Sequence, residues 1–165
     1  MHHYLFVWGK LKTPGLRQAA DYYQKLIRPW AQLQEIELKP VPIPEKSPAL
    51  RLQIQEKEGL LLLERIKKEE PTRKWILLLD EKGKSKSTFQ WAQDIQNWEA
   101  NSISSLVFCI GSSLGFSKAV RETAHELISL GPQTLSHELA RVVLLEQLYR
   151  ATSVIRGHPY HNEGQ

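Results

Sequence analysis

The sequence predicts an α/β fold, a parallel sheet flanked by helices, and three observations predict it. Short apolar runs at residues 4–8, 75–79 and 106–110 alternate with longer amphipathic stretches, the pattern of buried strands joined by covering helices. The longer stretches open on helix-start residues: Thr13-Pro14, Ser47-Pro48, Ser87, Ser117 and Ser136. The chain has 165 residues, 41% hydrophobic and 24% charged, which is the composition of one globular domain over residues 1–165 and excludes a disordered or collagen-like chain.

Taken in order, residues 4–8 read as a buried strand. Thr13 and Pro14 form an N-cap and first-turn pair that opens a helix to about residue 28. Residues 36–43 are extended, because Pro40, Pro42 and Pro44 forbid a helix and confine the segment to a sheet edge or a loop. Ser47-Pro48 starts a helix to about residue 67, in which Gly59 costs about 1 kcal/mol relative to Ala. A polar connection at 69–74 leads to the strand 75–79, and 80–86 reads as a loop around Gly83. Ser87 and Gln90 have capping-box spacing, so a helix runs to about residue 99. The strand 106–110 ends at Gly111. Ser117 caps a helix to about residue 126, 127–130 is a last short strand, and 131–136 is a loop. A long helix then covers 137–155, ahead of a tail at 157–165.

Charge and cysteine content narrow the function classes. The net charge is +4, from 22 Lys+Arg against 18 Asp+Glu, a mild lean towards anionic partners. The single cysteine, Cys109, has no partner for an intrachain disulfide, excludes four-cysteine zinc sites and suits a reducing, cytoplasmic setting. Its place inside a strand reads as core rather than nucleophile. The longest apolar runs fall far short of the roughly 20 residues that a membrane helix needs, so no membrane contact is expected. No signal peptide is visible, and His2 and His3 are given no role.

Four features stand out as sites for chemistry. The loop Gly111-Ser112-Ser113-Leu114-Gly115 follows a strand, where bare backbone lets a ligand approach; on pattern alone it reads more readily as a plain strand-to-helix turn that needs glycine. It is neither a dinucleotide fingerprint nor a phosphate loop, which counts against a nucleotide-binding enzyme of unrelated chemistry. Residues 80–86 hold three lysines and read either as an anion or RNA-phosphate contact or as a solvated loop. The helix at 137–155 is apolar on more than one face, so it belongs in the core or across a subunit interface; Arg141 faces a cleft or a partner, or reaches to solvent. Finally, His158-Pro159-Tyr160-His161 holds two imidazoles suited to proton transfer, or forms a frayed end. No metal is expected there, because the tail offers no third soft ligand and no helix to fix the geometry.

These residues carry a resemblance. Leu79 at the end of WILLLD with Gly83 just after it, Ile110-Gly111, the run from Leu127 through Gly131-Pro132-Gln133-Thr134-Leu135 to Ala151, and the terminal His158-Pro159-Tyr160-His161-Asn162-Glu163 resemble the ribosomal RNA large subunit methyltransferase H family of the SPOUT class, the α/β-knot methyltransferases. Gly9-Lys10-Leu11-Lys12 and Tyr22-Tyr23 match as well, so the resemblance spans nearly the whole chain. The chain departs from the family pattern at Ser112, where a glycine is usual, at Ser136, where a proline is usual, and at Asn162, where a basic residue is usual.

The resemblance implies a parallel sheet with helices on both sides and a C-terminal trefoil knot. It implies a homodimer that uses S-adenosylmethionine to methylate the imide nitrogen of a pseudouridine in 23S rRNA, on the assembled ribosome or large subunit. By position, the cofactor residues are Leu79, Gly111, Leu130, Gly131, Pro132, Gln133, Thr134 and Leu135. His161 or Tyr160 is expected to serve as the base or to position the substrate, with Arg141 orienting it. Phosphate contacts are expected from Lys10, Lys12 and Arg17, then Lys82, Lys84 and Lys86. The competing expectation is a non-catalytic RNA- or ribosome-binding protein on the same knot fold.

Overall fold

The computed structural model describes residues 1–45 and 47–162. Among them, five strands alternate with five helices: β1 (His2–Trp8), α1 (Leu16–Ile27), β2 (Gln32–Leu38), α2 (Pro48–Lys68), β3 (Lys74–Ser85), α3 (Thr88–Ala100), β4 (Ser105–Ile110), α4 (Lys118–Thr123), β5 (Glu126–Ser129) and α5 (His137–Ile155). All strand pairs are parallel and the sheet order is β2-β1-β4-β3-β5.

Alternation along the strands divides the core. Leu5, Val7, Leu77, Leu106 and Phe108 face α1, α3 and α5, whereas Tyr4, Phe6, Ile76, Leu78, Val107 and Cys109 face α2 and α4. Both faces of the central strands are therefore covered, which is why they read as continuous apolar runs. His3, given no role in the sequence, lies inside β1 and is buried with its Nδ1 unpartnered.

Serine caps fix four of the five helix starts. Ser47, Ser87, Ser117 and Ser136 each accept from a backbone N–H three residues on, and Gln90 completes the capping box at Ser87. Thr13 does not cap α1, which starts behind Gly15 in left-handed geometry (φ +83°). The Thr13 hydroxyl donates instead to Glu138 Oε2 at 2.8 Å, and its backbone N–H to Oε1 at 3.0 Å. A carboxylate in the first turn of α5 with several donors to accept from outcompetes a local cap.

Residues 80–86 differ from the expected loop. β3 continues to Ser85 with an irregularity at which Leu79 and Lys84 both pair with Ile128, so residues 80–83 bulge out. Gly83 makes this close approach workable, since a Cβ there would stand 2.6 Å from the backbone N and C of Ile128. Gly59 answers a similar demand inside α2, where a Cβ would meet Ser117 Oγ at 2.2 Å. The helix after Ser117 stops at Thr123, three residues short of expectation, and β5 begins correspondingly early at Glu126.

The many apolar faces of α5 are explained within one chain. The helix lies on the sheet between α1 and α3, and its buried side chains include Leu144, Leu145, Leu148, Tyr149 and Ala151. It is a core helix, so its composition does not require a partner subunit.

Candidate functional site

The carboxyl ends of β3, β4 and β5 surround a cavity of about 470 Å³. Parallel sheets place ligands at these ends, where loops leave the scaffold. Leu79 from β3, Gly111 after β4, and Leu130, Gly131, Gln133, Thr134 and Leu135 after β5 all line it, as do His137 and Ala140 from the first turn of α5. The structure thus brings together seven of the eight residues expected at a cofactor site. Pro132 is exposed and outside the lining. Asp80, Glu81 and Lys82 from the β3 bulge, expected from the sequence in a loop of their own, form a further wall. Their position directly after a strand end was the available signal.

Neighbouring helices hold these walls. Asp80 accepts from the Lys82 backbone at 2.8 Å and from Arg121 Nη2 at 2.6 Å, and Arg121 Nε also donates to the Phe116 carbonyl at 3.3 Å. One arginine on α4 thereby joins the bulge to the glycine loop. Burial pushes the Asp80 carboxyl up, but the Lys82 hydrogen bond and the Arg121 guanidinium outweigh it and leave the group below its ordinary value. On α2, Glu58 Oε1 accepts from Ser112 Oγ at 2.8 Å, and Gln55 Nε2 donates to the Leu114 carbonyl at 2.7 Å. Glu58 is buried, and that burial raises its carboxyl despite the Ser112 hydrogen bond. Ser129 Oγ shapes the other loop, donating to the Gly131 carbonyl at 2.7 Å and accepting from its N–H at 3.1 Å.

The C-terminal tail packs elsewhere on the same chain. Tyr160 donates to Glu146 Oε1 at 3.1 Å, and its ring lies 4.5 Å from that of Tyr149. Arg150 sits 4.7 Å over the Tyr160 ring and approaches His161 Nδ1 at 3.3 Å, while Phe89 meets the His161 ring edge-on. An arginine only donates, so in this contact Nδ1 of His161 is the accepting atom. Burial and the Glu146 carboxylate push the Tyr160 phenol well up. None of the tail residues 158–161 is among those lining the cavity of its own chain.

Two basic residues stand apart from their expected settings. Arg141, expected at a cleft, at a partner or in solvent, is only 2% exposed. Its Nε lies 2.5 Å from Glu35 Oε2 and its Nη1 3.2 Å from Glu37 Oε2. Residues 33, 35 and 37 of β2 share one face, so two glutamates point into the α1 and α5 layer, and Arg141 neutralises them; Arg17 adds a contact to Glu35 at 3.2 Å. Lys86, expected at a phosphate, has a side chain only 1% exposed, paired with Asp94 at 2.6 Å and Glu126 at 2.5 Å between Trp91 and Trp98. Lys10, Lys12, Lys82 and Lys84 are exposed. Among the described residues no cluster of His, Cys, Asp and Glu gathers to hold a metal ion, and no helix is long and apolar enough to cross a membrane.

Comparison with known proteins agrees with this architecture. The family model described as a predicted SPOUT methyltransferase matches residues 1–161. The ribosomal RNA large subunit methyltransferase H of Maridesulfovibrio salexigens is 39% identical over 158 residues, covering 95% of this chain and 96% of that protein. The protein of the same description from Carboxydothermus hydrogenoformans is 40% identical over 154 residues, covering 93% and 94%. A crystal structure from Bacillus anthracis described as an RNA methyltransferase aligns over 100% of both chains with a TM-score of 0.50 at 11% identity, a likeness of fold. With nearly full-length matches on both sides, the chain belongs to the SPOUT methyltransferases and, within them, to the ribosomal RNA large subunit methyltransferase H family.

Proposed function

We propose that this protein is an S-adenosylmethionine-dependent methyltransferase that modifies the imide nitrogen, N3, of a pseudouridine in 23S rRNA, working as a cytoplasmic homodimer on the assembled ribosome or large subunit. The observation that carries this reading is the cavity at the ends of β3, β4 and β5, lined by Leu79, Gly111, Leu130, Gly131, Gln133, Thr134 and Leu135 in a chain of this family.

The cavity fits such a group. Its volume of about 470 Å³ is within the range of small-molecule sites. Leucine walls suit a flat base, and backbone polar groups beside Gly111 and Gly131 suit its heteroatoms. S-adenosylmethionine supplies, when bound, a methyl group on a positively charged sulfur that a nitrogen lone pair displaces. The remaining tasks for the chain are to orient the two reactants and to accept the N3 proton.

No protein nucleophile is needed for this, consistent with Cys109 being buried and its thiol pushed up by that burial. His161 is the proposed proton acceptor. To take a proton on Nδ1 its ring must leave Arg150, so docking on the substrate frees the base. Tyr160, held by Glu146 as a neutral phenol, positions that tail. Arg141 contributes from the interior, by fixing β2 against α5 near the start of that helix.

Because no tail residue lines its own cavity, the tail is proposed to serve the cavity of the second copy. Tyr22, Phe89 and Leu139, exposed apolar side chains on the α1, α3 and α5 layer, support a partner on this side. Lys10, Lys12, Lys82 and Lys84 are the proposed phosphate contacts, which makes ribosome binding weaken steeply with salt.

Calorimetry with S-adenosylmethionine tests the site. Gly111→Val is expected to fold, since a Cβ at Gly111 meets the Phe116 ring at an ordinary 3.4 Å, and to lose affinity by obstructing the cavity. Unchanged affinity in the folded variant rejects the assignment. Absence of binding by the native protein, with and without ribosomes, favours a non-catalytic ribosome-binding protein.

A further inference from the structure

Ser112 adds a hydroxyl to the loop between Gly111 and Gly115, and its side chain has a specific occupation. Its Oγ donates to Glu58 Oε1 at 2.8 Å and accepts from the Leu114 N–H at 3.2 Å, so one hydroxyl links α2 to the turn of the loop. Gly115 N donates back to the Ser112 carbonyl at 3.0 Å. One helical turn before Glu58, Gln55 donates to the Leu114 carbonyl, and the next residue, Gly59, lets Ser117 of the α4 cap pack directly on the helix. Three successive polar or bare positions on one face of α2 are therefore devoted to residues 112–117. That face would otherwise bury a carboxylate for no gain, since Glu58 makes no ion pair among the described residues and is 5% exposed.

We propose that Glu58 is a positioning residue for the methyl-donor cavity, acting through Ser112 to hold residues 111–115 in the shape that admits the ligand. The proposal rests on the cavity reading given above and adds to it a residue from outside the cavity, on the opposite side of the loop from the ligand. The hydroxyl of Ser112 is turned onto α2 and occupied there by Glu58. A buried carboxylate accepting from a hydroxyl is a strong restraint for one hydrogen bond, because leaving either group unpaired carries a desolvation cost.

The test compares Glu58→Ala, Glu58→Gln, Ser112→Ala and the double Ala variant in full-length protein. Glu58→Ala and Ser112→Ala are each expected to weaken binding of S-adenosylmethionine, and of its demethylated product, about ten-fold. They should raise KM for the donor while leaving kcat at saturating donor within two-fold. The double variant should be no worse than the weaker single variant, because one linkage is broken once. Glu58→Gln keeps an acceptor oxygen and should restore affinity to within about three-fold of native.

Hydrogen exchange on the ligand-free protein gives an independent readout. The Leu114 amide should exchange at least ten-fold faster in Glu58→Ala, with the α5 amides unchanged. Native affinity in the Ala variants, or additive losses in the double variant, overturns the proposal. Failure of the native protein to bind the donor overturns the cavity reading, and is distinguished by a Leu114 amide that still responds to Glu58.

Discussion

Arg141 and Glu35 form an ion pair inside the protein, with Nε 2.5 Å from Oε2 and side chains only 3% and 7% exposed. Glu37 shares the same guanidinium at 3.2 Å. Arg141→Met would leave the buried Glu35 carboxylate with only its 3.2 Å contact to Arg17 and would unpair the more exposed Glu37, and should destabilise the fold by roughly 3 kcal/mol. Adding Glu35→Gln to that variant should restore part of the loss. Denaturant unfolding that places Arg141→Met within 0.5 kcal/mol of native, a figure of about the size of ordinary surface substitutions, would show that the cluster is screened.

His3 makes stability depend on pH. Burial, then the positive N-terminus and His2, lower its imidazole from 6.5 to about 3. In the fold it stays neutral as pH falls, while the unfolded chain takes up a proton near pH 6.5. The unfolded state therefore binds more protons between these values, and stability falls as pH is lowered through that window, by at most about 1.4 kcal/mol per unit. His3→Leu should flatten the dependence of Tm between pH 7 and pH 5. An unchanged slope would mean that other groups set it.

Gly83→Ala should displace β5. The added Cβ would stand 2.6 Å from the backbone of Leu127 and Ile128, which cannot move as a side chain end can. A loss of about 1–3 kcal/mol is expected, with weaker donor binding because residues 80–82 line the cavity. Native Tm and native affinity together would contradict this packing.

The tail should separate folding from turnover. His161→Asn removes the proposed base while keeping a polar side chain beside Arg150 and Phe89. It should retain the native Tm and donor affinity and lower methyl transfer to ribosomes by about 100-fold or more. Tyr160→Ala, by contrast, should cost stability as well, since the ring covers Tyr149 and carries Arg150. Equal turnover in His161→Asn would place the base elsewhere.

Strands β1, β3 and β4 and most helix starts were legible because their signals are local: apolar runs at 4–8, 75–79 and 106–110, and serine caps at 47, 87, 117 and 136. Strand β2 lies at Gln32–Leu38, mostly ahead of the proline-marked stretch 36–43 expected to be extended. Where local signals failed, a distant group had intervened. Thr13 has the residue type of a cap, but Glu138, 125 residues away, takes its hydroxyl. Lys84 and Lys86 share a lysine-rich stretch, yet one is exposed and the other is enclosed by Asp94, Glu126 and two tryptophans. The sequence points Arg141 to a cleft, a partner or solvent, because the glutamates it pairs with inside the fold lie on β2, more than 100 residues earlier.

For the cavity, strand-end loops identified Leu79, Gly111 and the 130–135 segment, and the bulge of β3 added Asp80, Glu81 and Lys82. The support from Glu58 and Gln55 was invisible because helix α2 carries it across the fold. The all-round apolar α5 pointed to the core or to a subunit interface, and α1 and α3 enclose it within one chain.

Nucleoside mass spectrometry of 23S rRNA after incubation of ribosomes from a deletion strain with the pure protein and isotopically labelled S-adenosylmethionine tests the central claim most directly. The account predicts about one labelled methyl per ribosome, on N3 of a pseudouridine, abolished in Gly111→Val and nearly absent on protein-free rRNA fragments. No incorporation by a protein that binds the donor, or a labelled methyl on a different base or atom, would contradict it.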